Sequence, residues 1–283
     1  MKLCRYGDVG LEKPGVVDSN NVLRDLSAVV EDITPETLPS ILVMLKEQDI
    51  SRFPAVPGNP RFGTPIKTVS KFVAIGLNYL DHAHEADLPV PDEPVVFFKA
   101  PSCLNGPDDN IVIPPHSTKL DWEAELGIVI SREAKQVSVD DALGYVAGYT
   151  IVNDVSDRGF QFQSSQWDKA KSCDTFGPVG PWIVTPDEVG NPQELAIWLE
   201  VNGEKRQQSN TSQMIFSVAE IVSYVSHYMT LKPGDLIATG TPAGVSLGMK
   251  PTPVWLKAGD RIRIHIEKLG YQNQWVTEQI ASR

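Results

Sequence analysis

The 283-residue sequence predicts a β-rich α+β protein, a core of short strands with few helices preceded by a small N-terminal α+β unit. Three observations carry this expectation. Short apolar runs with period-two alternation recur along the chain, 22 prolines and 21 glycines demand many turns, and only a few segments show helical apolar spacing. Apolar residues make up 41% of the chain, enough for a substantial core, and the 22% of charged residues are too dispersed for a disordered chain.

Residues 1–65 are expected to form the small N-terminal domain and its linker. Strands are predicted at Leu3–Tyr6, Gly15–Val17 and Val22–Leu26, with "DSNN" (18–21) as a turn. "TPETLPSILVMLKEQ" (34–48) offers Thr34 as a helix N-cap and Pro35 at the first helical position. "RFPAVPGNPRFGTP" (52–65) carries four prolines and reads as a linker or extended wrap.

Residues 66–283 are expected to form the larger domain. Strands are predicted at Phe72–Ile75, Val95–Lys99, Glu125–Ile130, Gly148–Val152, Trp182–Val184, Leu195–Val201, Leu236–Thr239 and Arg261–Glu267. In the last, Ile262, Ile264 and Ile266 alternate with Arg261, Arg263 and His265, the pattern of a half-buried strand. Helices are predicted at Asp140–Leu143, after Asp154, and along "SVAEIVSYVSHYM" (217–229). "LKPGD" (231–235) and "LKAGD" (256–260) repeat one turn signature, each leading into a strand.

The charge balance narrows the partners. Lysine and arginine number 25 against 36 acids, a formal charge of −11, and no dense basic run occurs. Nucleic acid is therefore an unfavourable partner, and an anionic substrate needs a metal or a local basic group. Three cysteines (Cys4, Cys103, Cys173) without a CxxC pair fit a reducing cytoplasm rather than a disulfide framework. "MKLCRYGDVG" lacks the apolar core of a signal peptide and no apolar run approaches membrane-spanning length, so a cytoplasmic protein is expected.

"KLDWEAELGIVI" (119–130) sets Glu123 and Glu125 at the entrance to an apolar strand. If that strand begins at Trp122, both carboxylates share a face, their side-chain bases about 7 Å apart. Two charges at that spacing repel by roughly 2–3 kcal/mol at an effective dielectric near 20. A hydrated rim would relieve the repulsion, and so would a cation. "GYTIVNDVSDR" (148–158) brings a third acid, Asp154, to the end of another apolar run. Three oxygen ligands with no Cys or His nearby suit a hard cation, Mg²⁺, Mn²⁺ or Ca²⁺.

Six ordered blocks, "IGLNYLDHAHE" (75–85), "EPVVFFKAPS" (93–102), "DWEAELGIVI" (121–130), "GYTIVNDVSDR" (148–158), "KSCDTFGPVGPW" (171–182) and "ATGTPAGV" (238–245), resemble the signatures of the fumarylacetoacetate hydrolase superfamily. The N-terminal "RYG" and "KPGVVD" are similar to a bacterial branch. That branch holds 2,4-diketo-3-deoxy-sugar acid hydrolases, hydroxymuconate-type isomerases or decarboxylases, and ureidoglycolate lyases. The resemblance implies a mixed β-roll or sandwich core around a divalent metal, usually Mg²⁺, held by Glu123, Glu125 and Asp154. It implies a lid pair, His82 and Glu85, that handles water or a proton, with Lys171 beside the reacting atoms. It assigns Arg158, Gln161 and Thr241 to the substrate, and it implies a homodimer.

Read without the family, His82 and Glu85 at i, i+3 meet on one helix face, which also describes an ordinary solvated contact. Asp154, Arg158 and Gln161, at i, i+4 and i+7, fall on one stripe if that segment is helical, although Gly159 weakens it. Leu77 stands where some acylpyruvase-like relatives carry a basic residue, and Asp81 where one branch draws an extra ligand; neither they nor His84 receive a role. "GVSLG" (244–248) satisfies G-x-S-x-G, but prolines and a strand pattern follow where a nucleophile elbow needs a helix. The expected activity is Mg²⁺-dependent hydrolysis of a carbon–carbon bond in a small anionic 2,4-dioxo acid, releasing pyruvate. Decarboxylation, isomerisation or a ureidoglycolate lyase reaction is the nearest alternative, and a non-catalytic metal-stabilised binding protein is the alternative of another class.

Overall fold

A computed structural model describes residues 1–279. The last four residues of the expected larger domain, 280–283, lie outside the described residues. Two sheets dominate. The larger runs, in spatial order, through Leu23–Asp25, Lys13–Val17, Lys2–Tyr6, Gly177–Val184, Val146–Asn153, Ala124–Ile130, Leu236–Ala238, Phe72–Gly76 and Val95–Lys99. The short strand Leu104–Asn105 adds parallel to Gly177–Val184. The second sheet orders Glu204–Asn210, Ala196–Val201, Arg261–Ile266, Gly270–Glu278 and Ile111–Ile113. This is the β-rich α+β fold, and neither sheet closes into a barrel.

The strand Ala124–Ile130 lies in the middle of the larger sheet, antiparallel to both Val146–Asn153 and Leu236–Ala238. All seven of its residues are buried, as are all eight of Val146–Asn153. Strands covered on both faces read as nearly continuous apolar runs, which is why "LGIVI" and "GYTIV" stand out in the sequence. Glu125 belongs to this strand, but Glu123 does not. Residues 120–121 pair instead with Ser156–Asp157, and the chain leaves the main ladder between them and Ala124. Asn153 Oδ1 accepts from Glu123 N at 3.2 Å, and Gln207 Oε1 accepts from Ala124 N at 2.9 Å. Side-chain amides therefore replace the ladder where the chain bends, as buried main-chain donors require.

The N-terminal residues pair into the same sheet. Lys2–Tyr6 runs antiparallel to Gly177–Val184, with Leu3 opposite Ile183. Leu3, Val16, Leu26, Ile33 and Leu38 belong to the same buried cluster as Ile128 and Ile151. The first helix spans Leu38–Lys46, three residues later than Thr34 and Pro35 predict. Thr34 and Thr37 bond each other in the preceding turn, and Pro39 stands at the second helical position, in the first turn where its missing N–H costs no bond.

The longest helix, Val218–Tyr228, begins with a full capping box between Ser217 and Glu220. The repeated turn is real at the atomic level: Asp235 accepts from Lys232 N and Asp260 from Lys257 N, at 2.7 and 2.9 Å. Among the described residues no helix is long and apolar enough to cross a membrane.

Candidate active site

Glu123, Glu125 and Asp154 converge from the bend, the strand and the end of the neighbouring strand, with ligand oxygens all within 4.8 Å of one another. They are 5%, 2% and 0% exposed, which rules out the hydrated rim. Three buried cations stand around them. Lys171 Nζ donates to Glu123 Oε2 at 2.6 Å and to Asp154 Oδ2 at 2.8 Å. Arg158 Nη2 donates to Glu123 Oε1 at 2.5 Å, its Nε to Asp121 Oδ2 at 2.8 Å, and its Nη1 to Gln161 Oε1 at 2.9 Å. Lys99 Nζ stands 2.7 Å from Asp154 Oδ1 as an ion pair whose geometry is not that of a hydrogen bond.

These contacts divide the acids. Burial would raise Glu123, but Lys171 and Arg158 outweigh it and hold the carboxyl down at about 2. Glu125 is pushed well above the ordinary range by burial and by the facing Asp154 and Glu123 charges. Lys171, opposed by burial, is raised by Asp154 and Glu123. With all four ionised, Asp121, Glu123, Glu125 and Asp154 set four carboxylates against three cations, one negative charge in excess, and that excess falls on Glu125. The residues fit a divalent cation: all three facing ligands are hard oxygens, and its charge would reverse the sign of the excess. Glu125 gains most from it, since its strongest neighbours are acids.

His82 and Glu85 lie on the short helix Leu80–Glu85, with Nδ1 and Oε2 3.4 Å apart. Both Glu85 oxygens accept from Gly244 N at 3.0 Å, so the carboxylate is tied to the loop after the strand Leu236–Ala238. Gly244 needs its positive φ of 102° to make that approach. The pair, Glu123, Glu125, Arg158, Gln161, Lys171 and Thr241 all line one cavity of about 470 Å³. Asp154 sits behind them, fully buried. The remaining wall is largely apolar, with Leu77, Leu88, Phe97, Phe162, Trp167 and Leu247 among its members.

The expected single helical stripe through Asp154, Arg158 and Gln161 does not form. Asp154 precedes the bridge strand Ser156–Asp157, and a helix starts only at Arg158, capped by the Asp157 side chain. Arg158 and Gln161 share that helix, and Asp154 reaches them through Lys171 and Glu123. Asp81 is occupied elsewhere, accepting from Ser209 Oγ at 2.5 Å and from His82 N at 2.8 Å. Thr241 donates its hydroxyl to Ala124 O at 2.9 Å and accepts from Gln207 Nε2 at 2.8 Å. The serine of "GVSLG" is buried and donates to Val254 O, with no base beside it.

Residues 71–277 match the family model described as the fumarylacetoacetate (FAA) hydrolase C-terminal domain. The chain belongs to the fumarylacetoacetate hydrolase family. It is an enzyme, a hydrolase acting on carbon–carbon bonds. It is 55% identical, over 98% of its length and 96% of the relative's, to a 2,4-didehydro-3-deoxy-L-rhamnonate hydrolase from a Sphingomonas species. Its fold superposes on the fumarylacetoacetate hydrolase of psychrophilic Exiguobacterium antarcticum with a TM-score of 0.88, at 36% identity and covering 99% and 100% of the two chains. The maleylpyruvate hydrolase of a Sphingobium species, crystallised with manganese(II) and pyruvate, superposes with a TM-score of 0.82 at 30% identity, covering 98% and 99%.

Two site residues of this hydrolase escape the sequence reading. Lys99 closes the apolar run "VVFFK" on the face shared with the buried Phe97, and a lysine in phase with a core residue needs a partner, which was the available signal. Asp121 stands two residues before Glu123, and its alternation with the glutamates was visible.

Proposed function

We propose that this enzyme hydrolyses the C3–C4 bond of a 2,4-dioxo-3-deoxy sugar acid, releasing pyruvate and a shorter acid, with Mg²⁺ as the working cation. One observation carries the reading: a single cavity brings Glu123 and Glu125 of the acid triad, with Lys171 and Arg158, together with the His82–Glu85 pair. A hard-cation site alone needs no base. A divalent cation held by Glu123, Glu125 and Asp154 would supply Lewis acidity toward the carboxylate and 2-oxo group of the substrate.

The chain's own groups do the rest. Arg158 and Gln161 receive the acid end, the guanidinium already oriented by Asp121 and Glu123. His82, steadied by Glu85, takes one proton from a water that adds to the C4 carbonyl. The C3–C4 bond breaks, its electron pair passing to C3 as an enolate that the Lys171 ammonium stabilises. The proton returns to C3 to give pyruvate, and the other fragment leaves as a carboxylic acid that ionises. Thr241 bears on positioning through the Ala124 backbone, because its hydroxyl proton is already donated there.

The relative at 55% identity is named for a diketo-deoxy sugar acid, which favours that substrate class over longer dioxo acids. Isomerisation or decarboxylation would use the cation and Lys171 without a water adding to a carbonyl. The test is pyruvate release from a panel of 2,4-didehydro-3-deoxy sugar acids and acylpyruvates, with Mg²⁺ and with EDTA. Release from the sugar acids that stops in EDTA and in His82→Ala is expected. Undiminished hydrolysis in EDTA, or in His82→Ala, refutes the mechanism.

A further inference from the structure

The Asp121 carboxylate takes no direct part in the reaction above, yet it is fully buried and has four donors. Its Oδ1 accepts from Trp122 N at 2.9 Å and Ser246 N at 2.8 Å. Its Oδ2 accepts from Leu247 N at 3.1 Å and Arg158 Nε at 2.8 Å. Each oxygen thus holds one main-chain amide of the loop 244–248. That loop carries Val245, Leu247 and Gly248 of the cavity wall, and its Gly244 N holds both oxygens of Glu85. The Trp122 indole, next in sequence to Asp121, donates to Gly244 O at 3.1 Å. A continuous chain of contacts, none longer than 3.4 Å, therefore runs from His82 through Glu85, the loop, Asp121 and Arg158 to Glu123.

We infer that Asp121 is a positioning residue that locks the acid-binding Arg158 and the loop seating Glu85 into one arrangement. The inference rests on the proposed roles of Arg158 and the His82–Glu85 pair. Two features argue against a general structural role for this carboxylate. Apart from the adjacent Trp122 N, its partners are a site cation and a site loop, and it accepts from no group remote from the cavity. The loop it holds has only a short 3-10 turn, Ser246–Gly248, and relies on such side-chain anchors.

Asp121→Asn tests this cleanly, because an amide offers one acceptor oxygen where the carboxylate offers two. Whichever way it turns, one loop amide loses its acceptor, and the amide NH₂ faces a donor. Oxalate, a mimic of the 2-oxo-acid end, is titrated calorimetrically into the Mn²⁺-loaded protein, with Mn²⁺ affinity measured separately. Hydrogen–deuterium exchange of the peptide covering 244–249 is followed in the same samples. Expected are oxalate binding weakened about tenfold or more, Mn²⁺ affinity altered less than that, and faster loop exchange. In turnover, both KM and kcat should worsen, whereas Glu85→Gln should lower kcat alone.

Should Asp121→Asn not fold, Ser246→Pro deletes one clamp bond from the loop side, at the first residue of the turn, where proline is accommodated. Ser246→Ala controls for its hydroxyl. Oxalate affinity within twofold of wild type together with unchanged loop exchange overturns the inference, even if the melting temperature falls. A wild type that releases no pyruvate would instead refute the reaction, while the oxalate and exchange measurements, which need no turnover, still decide the role of Asp121.

Discussion

At the scale of single residues, the site is a charge balance that the protein meets only in part. Lys171 bridges Glu123 and Asp154, and removing one partner of a buried ion pair costs about 3–5 kcal/mol. Lys171→Met in EDTA should therefore melt on the order of 10 °C below wild type. Saturating Mn²⁺ should recover most of that loss, because the cation brings positive charge to the same carboxylates. The diagnostic is a larger metal-induced shift in the variant than in wild type by scanning calorimetry; equal shifts would show that lysine and metal do not share the acids. Acid and base test the glutamates separately. Glu123 is depressed from 4.5 to about 2, so its contribution to stability is present above pH 4.5 and is lost as pH falls toward 2. Glu125 is raised, so in metal-free protein it favours the folded state only while protonated, and stability declines as pH climbs above 4.5. Glu125→Gln should flatten that decline in EDTA and raise the melting temperature at neutral pH, roughly 2–4 °C for each kcal/mol of repulsion removed. A variant that melts below wild type in EDTA at neutral pH would contradict the buried-repulsion account. The three acids were legible because like charges at the mouths of apolar strands need a physical reason. Their cations were less so: Lys171 stands out only through the family resemblance, and the place of Lys99 at the end of an apolar run is a weak signal until its burial against Asp154 is seen.

Among the elements, strands buried on both faces were the most readable, and strands with one wet face the least. Ala124–Ile130 and Val146–Asn153 announce themselves as apolar runs. Glu204–Asn210, "EKRQQSN", has only Gln207 fully buried and carries no apolar residue at all. It is a strand because its neighbour Ala196–Val201 supplies the ladder, and pairing of that kind leaves no local signature. Gly270–Glu278 is similar, for Gln272 and Gln274 point inward and bond each other at 2.9 Å where apolar residues would be expected. The bend at Trp122–Glu123 was also hidden, since it depends on acceptors from Asn153 and Gln207, remote in sequence. The helix Val218–Tyr228 was readable from its apolar spacing, and its Ser217–Glu220 capping box is seen in the structure. Ser217→Ala should lower stability by about 0.5–2 kcal/mol, and Ser217→Asp should largely retain it. Denaturant midpoints at unchanged m-value would check this; a neutral Ser217→Ala would mean that packing of Ile221, Val222 and Val225 alone holds the helix end.

For the whole molecule, the question is whether residues 1–65 and the remainder fold separately. The proline-rich stretch 52–65 looks like a boundary locally, but the contacts across it are neither few nor superficial. Leu3 pairs with Ile183 in the continuous sheet. Arg61, within the stretch itself, joins Glu12 at 2.9 Å on one side and Asp109 on the other, while Arg5, 4% exposed, is tied to Asp32 at 2.6 Å within the N-terminal part. Asp32 and Glu12 are both held below the ordinary carboxylate range, with Arg5 and Arg61 respectively outweighing burial. Their contribution is thus present above the ordinary carboxylate pKa and is lost in acid. Removing 1–65 would strip the Gly177–Val184 strand of its neighbour and expose the core cluster beneath. A free, buried-type strand edge promotes association rather than solubility. Urea unfolding of the full chain at pH 7 should therefore be a single transition, with far-ultraviolet dichroism and tryptophan fluorescence coinciding. The isolated 66–283 fragment should fail to give a soluble, cooperatively folded protein. Two resolved transitions, or a fragment that melts cooperatively and binds Mn²⁺ like the full chain, would establish the two parts as independent units and leave the N-terminal strands as an accessory edge.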